Sequence, residues 1–284
     1  MKLCYLLGYP VGHSMSAVMH NAAFHELGLE YRYDLRGVSP EKLGEFIAGE
    51  MRRQIVRGAN VTIPHKEAVL EFLDEVDSEA KSIGAVNTIV NDGGRLTGYN
   101  TDGRGAVRAL IEAYGSLDGS NAVIIGAGGA ARAIGYCLST VAGKITLLNR
   151  TLRRAEELAT HISSMPECRS SVHPSTLSHE SIEEALLDTD ILINTTPLGM
   201  YPNTGDTPVE GGLIRPGLLV FDAVYNPIQT RLLREAENAG ARTLSGVMML
   251  VYQGVIAFKL WTGMEPPVEI MSDAVTETLK EGHS

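Results

Sequence analysis

The chain has 284 residues, 44% of them hydrophobic and 20% charged, and a formal net charge of −10. That length predicts two domains, and the composition is that of a globular chain able to bury a proper core. The acidic balance argues against a nucleic-acid binder, which needs a broad basic surface, but leaves room for a small anionic ligand held by a few local cations.

Cys4, Cys137 and Cys168 lie far apart and form no CxxC pair. This predicts neither a disulfide framework nor a thiolate zinc site, and a reducing, cytoplasmic setting. The opening MKLCYLLGYP is broken by Gly8 and Pro10 too early for a signal peptide. It reads instead as a strand. SAVMHNAAFHELG has helical spacing and stops at Gly28, and EYRYDLRGV is a strand. SPEKLGEFIAGEM reads as a helix entered through Ser39, with Pro40 in its first turn. IVRGANVTI is apolar, HKEAVLEFLDEV looks helical, and AVNTIVNDGGRLTGYN looks like a hairpin. Strands interleaved with helices imply an α/β layer architecture.

Between the strand and the helical pattern stands NVTIPHK, where Asn60, Thr62, His65 and Lys66 gather around Pro64. A strand-to-helix turn needs a cap and a proline. It does not need an amide, a hydroxyl and an ammonium together, so this surplus suggests a site that holds a polar molecule. GHSMSAVMHN places Ser14 and Ser16 at a helix entrance, where one N-cap is enough. Asn87 stands at a strand start, and GYNTDG delivers Asp102 just before a helix, where an N-cap role is equally open.

TDGRGAVRALIEAYG reads as a helix carrying the chain into a second unit. There the pattern becomes buried strand, glycine turn, helix, buried strand in NAVIIGAGGAARAIGYCLSTVAGKITLLNR. Gly126 permits a tight turn, and Gly128 and Gly129, with Ala127 and Ala130 beside them, let backbone amides approach a pyrophosphate. Ala131 allows close helix–strand packing, and the helix N-terminus faces the anion. An NAD site usually offers a carboxylate to the ribose after the next strand. Here stand Asn149, Arg150 and Thr151, followed by Arg153 and Arg154, which suit a 2′-phosphate and hence NADP(H). Arg153 also fits a solvated helix face. ILINTTPLGM ends another strand on the ligand side of such a sheet, with Thr195, Pro197 and Met200 placed for the nicotinamide; a plain strand terminator is the alternative for each. GLLVFDAVYNP is a further apolar strand, and such strands predict a parallel sheet covered on both faces.

VMMLVYQGVIAFKLW, 247–261, is shorter than a membrane span and carries Gln253, Gly254 and Lys259, so it reads as a buried helix. Gln253 needs a partner there. A last helix covers 268–279, and these two helices are expected to fold back on the first domain.

GHSMSAVMHN, NVTIPHK, GAVNTI, GYNTDG, GAGGAARA, NRT, NTTPLGM, DAVYNP and GVMMLVYQG occur in this order over nearly the whole chain. Together they resemble the shikimate dehydrogenase family. The resemblance implies an N-terminal α/β substrate domain, 1–102 completed by 243–284, plus an NADP-binding Rossmann domain, 103–242, with a cleft between them. It also implies reversible NADPH-dependent reduction of 3-dehydroshikimate to shikimate, with no metal, and a homodimer. Lys66 and Asp102 match the family's acid/base pair, though not which of the two is the formal acid. A ketone accepting hydride needs a proton, and a carboxylate beside a desolvated lysine keeps that lysine charged. Ser14, Ser16 and Tyr225 match groups that grip the carboxylate, and Asn60, Thr62, Asn87 and Gln253 match groups that read ring hydroxyls. Gly246 and Met249 are expected near the nicotinamide; His13, His20 and His65 read as structural or capping. Ala17 departs from the family's usual proline. The alternatives are a quinate/shikimate dehydrogenase using NAD and a non-catalytic ligand-binding regulator.

Overall fold

The computed structural model describes residues 1–281 and divides into two compact units, Met1–Gly105 together with the chain from Val251 onward, and Ala106–Leu250. The first unit contains β1 (Lys2–Gly8), α1 (Ser16–Glu26), β2 (Tyr31–Gly37), α2 (Leu43–Ala48), β3 (Val56–Val61), β4 (Glu75–Val76), α3 (Ser78–Ile83), β5 (Thr88–Asp92) and β6 (Arg95–Tyr99). They form one mixed sheet in the order β2-β1-β3-β5-β6-β4. β1 runs parallel to β2 and β3, whereas β5 is antiparallel to both β3 and β6. The β5–β6 turn is Gly93-Gly94 with φ of +62° and +99°, the left-handed pair that a two-residue hairpin demands.

Two expected helices are shortened. Pro40 opens a 3-10 turn, Pro40–Lys42, before the six residues of α2, and the Ser39 hydroxyl bonds Glu41 (2.5 Å) rather than a helix amide. After Lys66 only a 3-10 segment, Ala68–Phe72, is helical. The backbone then turns to the sheet edge, where Asp74 N donates to Leu96 O (3.0 Å) and Asp77 N to Gly98 O (2.9 Å). Pairing with β6 satisfies donors that a continuing helix would have spent internally.

α4 (Asp102–Tyr114) leads into the second unit, with β7 (Asn121–Ile125), α5 (Gly129–Ser139), β8 (Lys144–Asn149), α6 (Leu152–Ser163), β9 (Ser171–Thr176), α7 (His179–Leu186), β10 (Ile191–Asn194), β11 (Leu219–Asp222), α8 (Arg231–Asn238) and β12 (Arg242–Ser245). All pairings are parallel, in the order β12-β11-β10-β7-β8-β9. One face is covered by Leu110, Ile134, Leu138, Leu158 and Ile162, the other by Ile182, Leu186, Leu232 and Leu233. The apolar runs of β7, β10 and β11 follow from burial on both sides. β9 is polar, carries Pro174 and lies at the sheet edge, where a residue without an N–H is tolerated.

α9 (Gly246–Thr262) and α10 (Val268–Glu281) return the chain to the first unit. There the fully buried Trp261 donates its indole N–H to Ile89 O (3.0 Å), and Gly58 leaves the room the indole occupies. Phe24, Tyr33, Phe258 and Trp261 pack around His20, so Trp261→Ala is expected to cost about 3–5 kcal/mol. Among the described residues, no helix is long and apolar enough to cross a membrane.

Candidate active site

In the first unit the chain leaves β3 through a turn closed by His65 N donating to Thr62 O (2.9 Å). His65 is buried, and its Nε2–H donates to Val38 O (2.6 Å), which pins the turn from below. Lys66 is thereby held with its carbonyl on Val86 N (2.8 Å) and its Nζ on Asp102 Oδ2 (2.6 Å). Asp102 opens α4, where the helix N-terminus favours its charge. Its Oδ1 accepts from Asn87 Nδ2 (2.8 Å), and its side chain is only 7% exposed against 18% for Lys66. A buried charge pair is tolerated when further hydrogen bonds support it, and Asn87 supplies one here.

Asn87 is the hub. Its Nδ2 also faces Thr101 Oγ1 (2.9 Å) and Gln253 Oε1 (3.3 Å), while its Oδ1 accepts from Thr101 N (2.8 Å) and the Thr88 hydroxyl (3.0 Å). Gln253, on α9, thus finds its partner in the first unit. Asn60 is joined to the same hub, and its donors are already spent: Nδ2 donates to Asn87 O (3.2 Å) and Thr88 Oγ1 (3.0 Å). Its Oδ1 accepts from the Tyr33 hydroxyl (2.8 Å). Asn60 can therefore offer a ligand only its remaining acceptor capacity. Ser14 donates to Ser16 Oγ and accepts from Ser16 N, both at 3.2 Å, instead of capping deeper amides of α1. Thr62, the residue after β3, is half-buried, and His13 is exposed. Tyr33, Thr88 and Thr101 went unnoticed in the sequence. Thr88 and Thr101 carried a local signal, their places within GAVNTI and GYNTDG, and Tyr33 carried none.

The second unit builds its site from backbone. β7 and β10 are neighbours at the point where strand order reverses, so the loops after them flank the switch point at which ligands of such sheets bind. Gly126 adopts φ +115°, and a Cβ there would collide with Thr195 Oγ1. Gly128 has open space where a side chain would stand, and α5 begins at Gly129 with no side-chain cap on its amides. Ala127 and Ala130 are half-buried beside them. This cradle and uncapped helix end fit a pyrophosphate. Asn149 Nδ2 donates to Thr151 O (2.9 Å), shaping the turn that presents Arg150. Arg153 is spent on Glu157 (2.8 Å), whereas Arg150 and Arg154 are exposed and make no ion pair among the described residues. Two free guanidiniums fit a 2′-phosphate. Thr195 donates its hydroxyl to Ile125 O (2.6 Å), and Pro197 and Met200 are exposed. Tyr225 is half-buried in the loop after β11. Gly246 allows α9 to start against Ala223 O, and Met249 packs into the core of this unit. Among the described residues no group of three or more His, Cys, Asp or Glu could hold a metal ion.

A doubly wound parallel sheet with a pyrophosphate cradle, and a separate α/β unit carrying a buried lysine–aspartate pair, define a dinucleotide-dependent oxidoreductase of two units. Family models agree: the shikimate dehydrogenase substrate binding domain matches residues 6–89, shikimate / quinate 5-dehydrogenase residues 109–199, and the shikimate 5′-dehydrogenase C-terminal domain residues 246–276. The chain is 50% identical over 278 residues to the shikimate dehydrogenase (NADP(+)) of Methanopyrus kandleri, covering 97% of this chain and 95% of that one. It is similar to a crystal structure of a shikimate dehydrogenase in complex with NADP+ (TM-score 0.91, 43% identity, 98% and 96% covered). It is also similar to the shikimate 5-dehydrogenase of Thermus thermophilus in complex with NADP(H) and shikimate (TM-score 0.85, 38% identity, 98% and 99% covered). The chain belongs to the shikimate dehydrogenase family.

Proposed function

We propose that this chain is an NADP-dependent shikimate dehydrogenase that reversibly reduces 3-dehydroshikimate to shikimate on the route to chorismate and the aromatic amino acids. The first unit serves as its substrate domain and the second as its NADP(H) domain. The observation that carries the chemistry is the Lys66 Nζ–Asp102 Oδ2 contact of 2.6 Å, with Asn87 on the second carboxylate oxygen.

When bound, NADP(H) supplies or accepts the hydride. Everything else falls to this chain. Reduction of the ketone leaves an alkoxide, whose oxygen takes a proton from the Lys66 ammonium; oxidation returns that proton. Asp102 orients the ammonium, and Asn87 keeps Asp102 from turning away. Ser14, Ser16 and Tyr225 hold the substrate carboxylate, while Thr62, Asn87, Gln253 and the residual acceptor of Asn60 read its ring hydroxyls. Gly126, Ala127, Gly128, Gly129 and Ala130 seat the pyrophosphate. Asn149, Arg150, Thr151 and Arg154 seat the 2′-phosphate, and Thr195, Pro197, Met200 and Gly246 border the nicotinamide. Three free cysteines support a cytoplasmic enzyme, and the accompanying assembly is a homodimer, which light scattering at the monomer mass would remove.

The test is an initial-rate assay of nicotinamide absorbance, with shikimate and quinate each offered with NADP⁺ and NAD⁺. Turnover mainly with shikimate and NADP⁺ is expected. Equal rates with quinate or NAD⁺ would point to the relaxed dehydrogenase instead, and cofactor binding without turnover would point to a ligand-binding regulator.

A further inference from the structure

At the end of β11 the Asp222 carboxylate is fully buried and makes no ion pair among the described residues. Its Oδ1 accepts from Asn194 Nδ2 (2.9 Å) and Val224 N (3.0 Å), and its Oδ2 from the Thr230 hydroxyl (2.7 Å). Those three donors belong to three segments: the end of β10, the loop after β11 and the N-cap of α8. Thr230 in turn accepts from Leu233 N (3.3 Å), so its hydroxyl proton is committed to Asp222. Asn194 passes the tie onward, its Oδ1 accepting from Thr196 N (2.9 Å) and Oγ1 (2.7 Å). The two loops meet again where Tyr201 N donates to Asn226 O (3.0 Å). Burial pushes the carboxyl up to about 6, and the three donors offset this only in part. An isolated buried charge is costly to keep. A packing residue would not need it; a clamp that must accept from three donors does.

We propose that Asp222 is a positioning residue for the dehydrogenase reaction, tying the loop after β10 to the loop after β11. The loop after β10 carries Thr195, Pro197 and Met200, and the loop after β11 carries Tyr225, so one carboxylate sets the nicotinamide side and a substrate-carboxylate ligand in register. This rests on the function proposed above.

The test compares the full-length wild type with Asp222→Asn, which keeps the shape but turns an NH₂ toward Thr230. Two quantities are read: kcat for shikimate oxidation, and the inhibition constant of adenosine 2′,5′-bisphosphate, which reports the phosphate-binding end alone. A fall in kcat of about tenfold is expected, with the inhibition constant within about twofold of wild type. Thr230→Val should show the same split at smaller amplitude, about threefold in kcat, and Thr230→Ser should restore wild-type kcat. This pair carries the test should Asp222→Asn fail to fold. Unchanged kcat in these variants, or kcat and the inhibition constant moving together with a lowered Tm, would overturn the proposal while leaving the function intact. A wild type that turns over no shikimate would remove the function and this proposal with it.

Discussion

The two units solve opposite problems. The first brings functional groups together: Lys66, Asp102, Asn87, Thr88, Thr101, Asn60 and Gln253 are joined by side-chain hydrogen bonds around one charge pair. The second takes side chains away: Gly126 and Gly128 and the uncapped start of α5 leave backbone amides bare. Proton transfer needs a side chain with a titratable atom at a fixed place, whereas phosphate binding needs N–H groups and room. The first unit should therefore be hurt by removing atoms and the second by adding them. Lys66→Ala tests the first half, with the largest effect expected here. kcat should fall about a thousandfold while the dissociation constant of NADP⁺, from fluorescence titration, stays at its wild-type value. Unchanged turnover would end the assigned role of Lys66.

The contrast extends to buried ionisable groups. His20 lies in the ring cluster of the first unit, neither nitrogen has a hydrogen-bond partner among the described residues, and burial drives its pKa down to about 3 from 6.5. Asp222 in the second unit is pushed up to about 6 from 3.8. The signs are opposite. Between pH 6.5 and 3 the unfolded chain binds a proton at His20 that the native first unit refuses, so stability falls as pH falls through this window. Between pH 6 and 3.8 the native second unit takes a proton at Asp222 before the unfolded chain does, so this group relieves a penalty as pH falls. Glu50 and Asp74, held low by Arg53 and Arg52, add to the acid loss of the first unit. At about pH 4 His20 alone should cost roughly 3 kcal/mol relative to about pH 7. Hydrogen exchange at the two pH values should show protection lost first in the first unit. His20→Leu should narrow the difference in urea midpoint between these two pH values, at a cost of about 1 kcal/mol at neutral pH. Equal acid sensitivity of wild type and variant would show that His20 titrates normally.

Adding atoms to the second unit is the complementary experiment. In Gly126→Ala the new methyl meets Thr195 Oγ1 at a backbone φ of +115°, where an L side chain is strained. The expected penalty is about 2 kcal/mol, some thirtyfold in the NADP⁺ dissociation constant. The same addition in open space, Gly12→Ala in the first unit, should leave both that constant and Tm unaltered. Calorimetric titration separates the two.

How much of this could be read in advance also differs between the units. Apolar strands, a glycine turn and the arginines after β8 are local signals, and the parallel architecture of the second unit follows from them. The edge strand β9 does not, because a polar strand with Pro174 has no burial pattern to betray it. In the first unit HKEAVLEFLDEV has helical spacing, yet Asp74 and Asp77 find backbone partners on β6 and the helix stops at Phe72. Spacing cannot report a distant strand edge. Nor could it show that Asn87 O and Thr88 take both donors of Asn60 while Tyr33 takes part of its acceptor capacity, or that Asp222 gathers donors from three segments. Lys66 and Asp102 stand 36 positions apart with no periodic link between them; only resemblance to a known family joined them in the sequence.

The smallest effects belong to the arginines after β8, and they separate side chains of one type by what each already touches. Arg153 is paired with Glu157 on the exposed face of α6, so Arg153→Ala should leave NADP⁺ binding within about twofold. Arg150 and Arg154 lack such a partner among the described residues and are free to meet a 2′-phosphate. Each replaced by alanine should weaken NADP⁺ about tenfold, the low end for a charge-assisted hydrogen bond in a solvated place. NAD⁺, which lacks the 2′-phosphate, should bind the variants as it binds the wild type. The loss should shrink as salt rises, because exposed guanidiniums are screened within a Debye length of about 8 Å at physiological ionic strength. Equal weakening of NAD⁺ would place these side chains on the shared part of the dinucleotide. A loss confined to Arg153→Ala would mean that the Glu157 pair opens to bind, and that a surface ion pair is no guide to which cation is free.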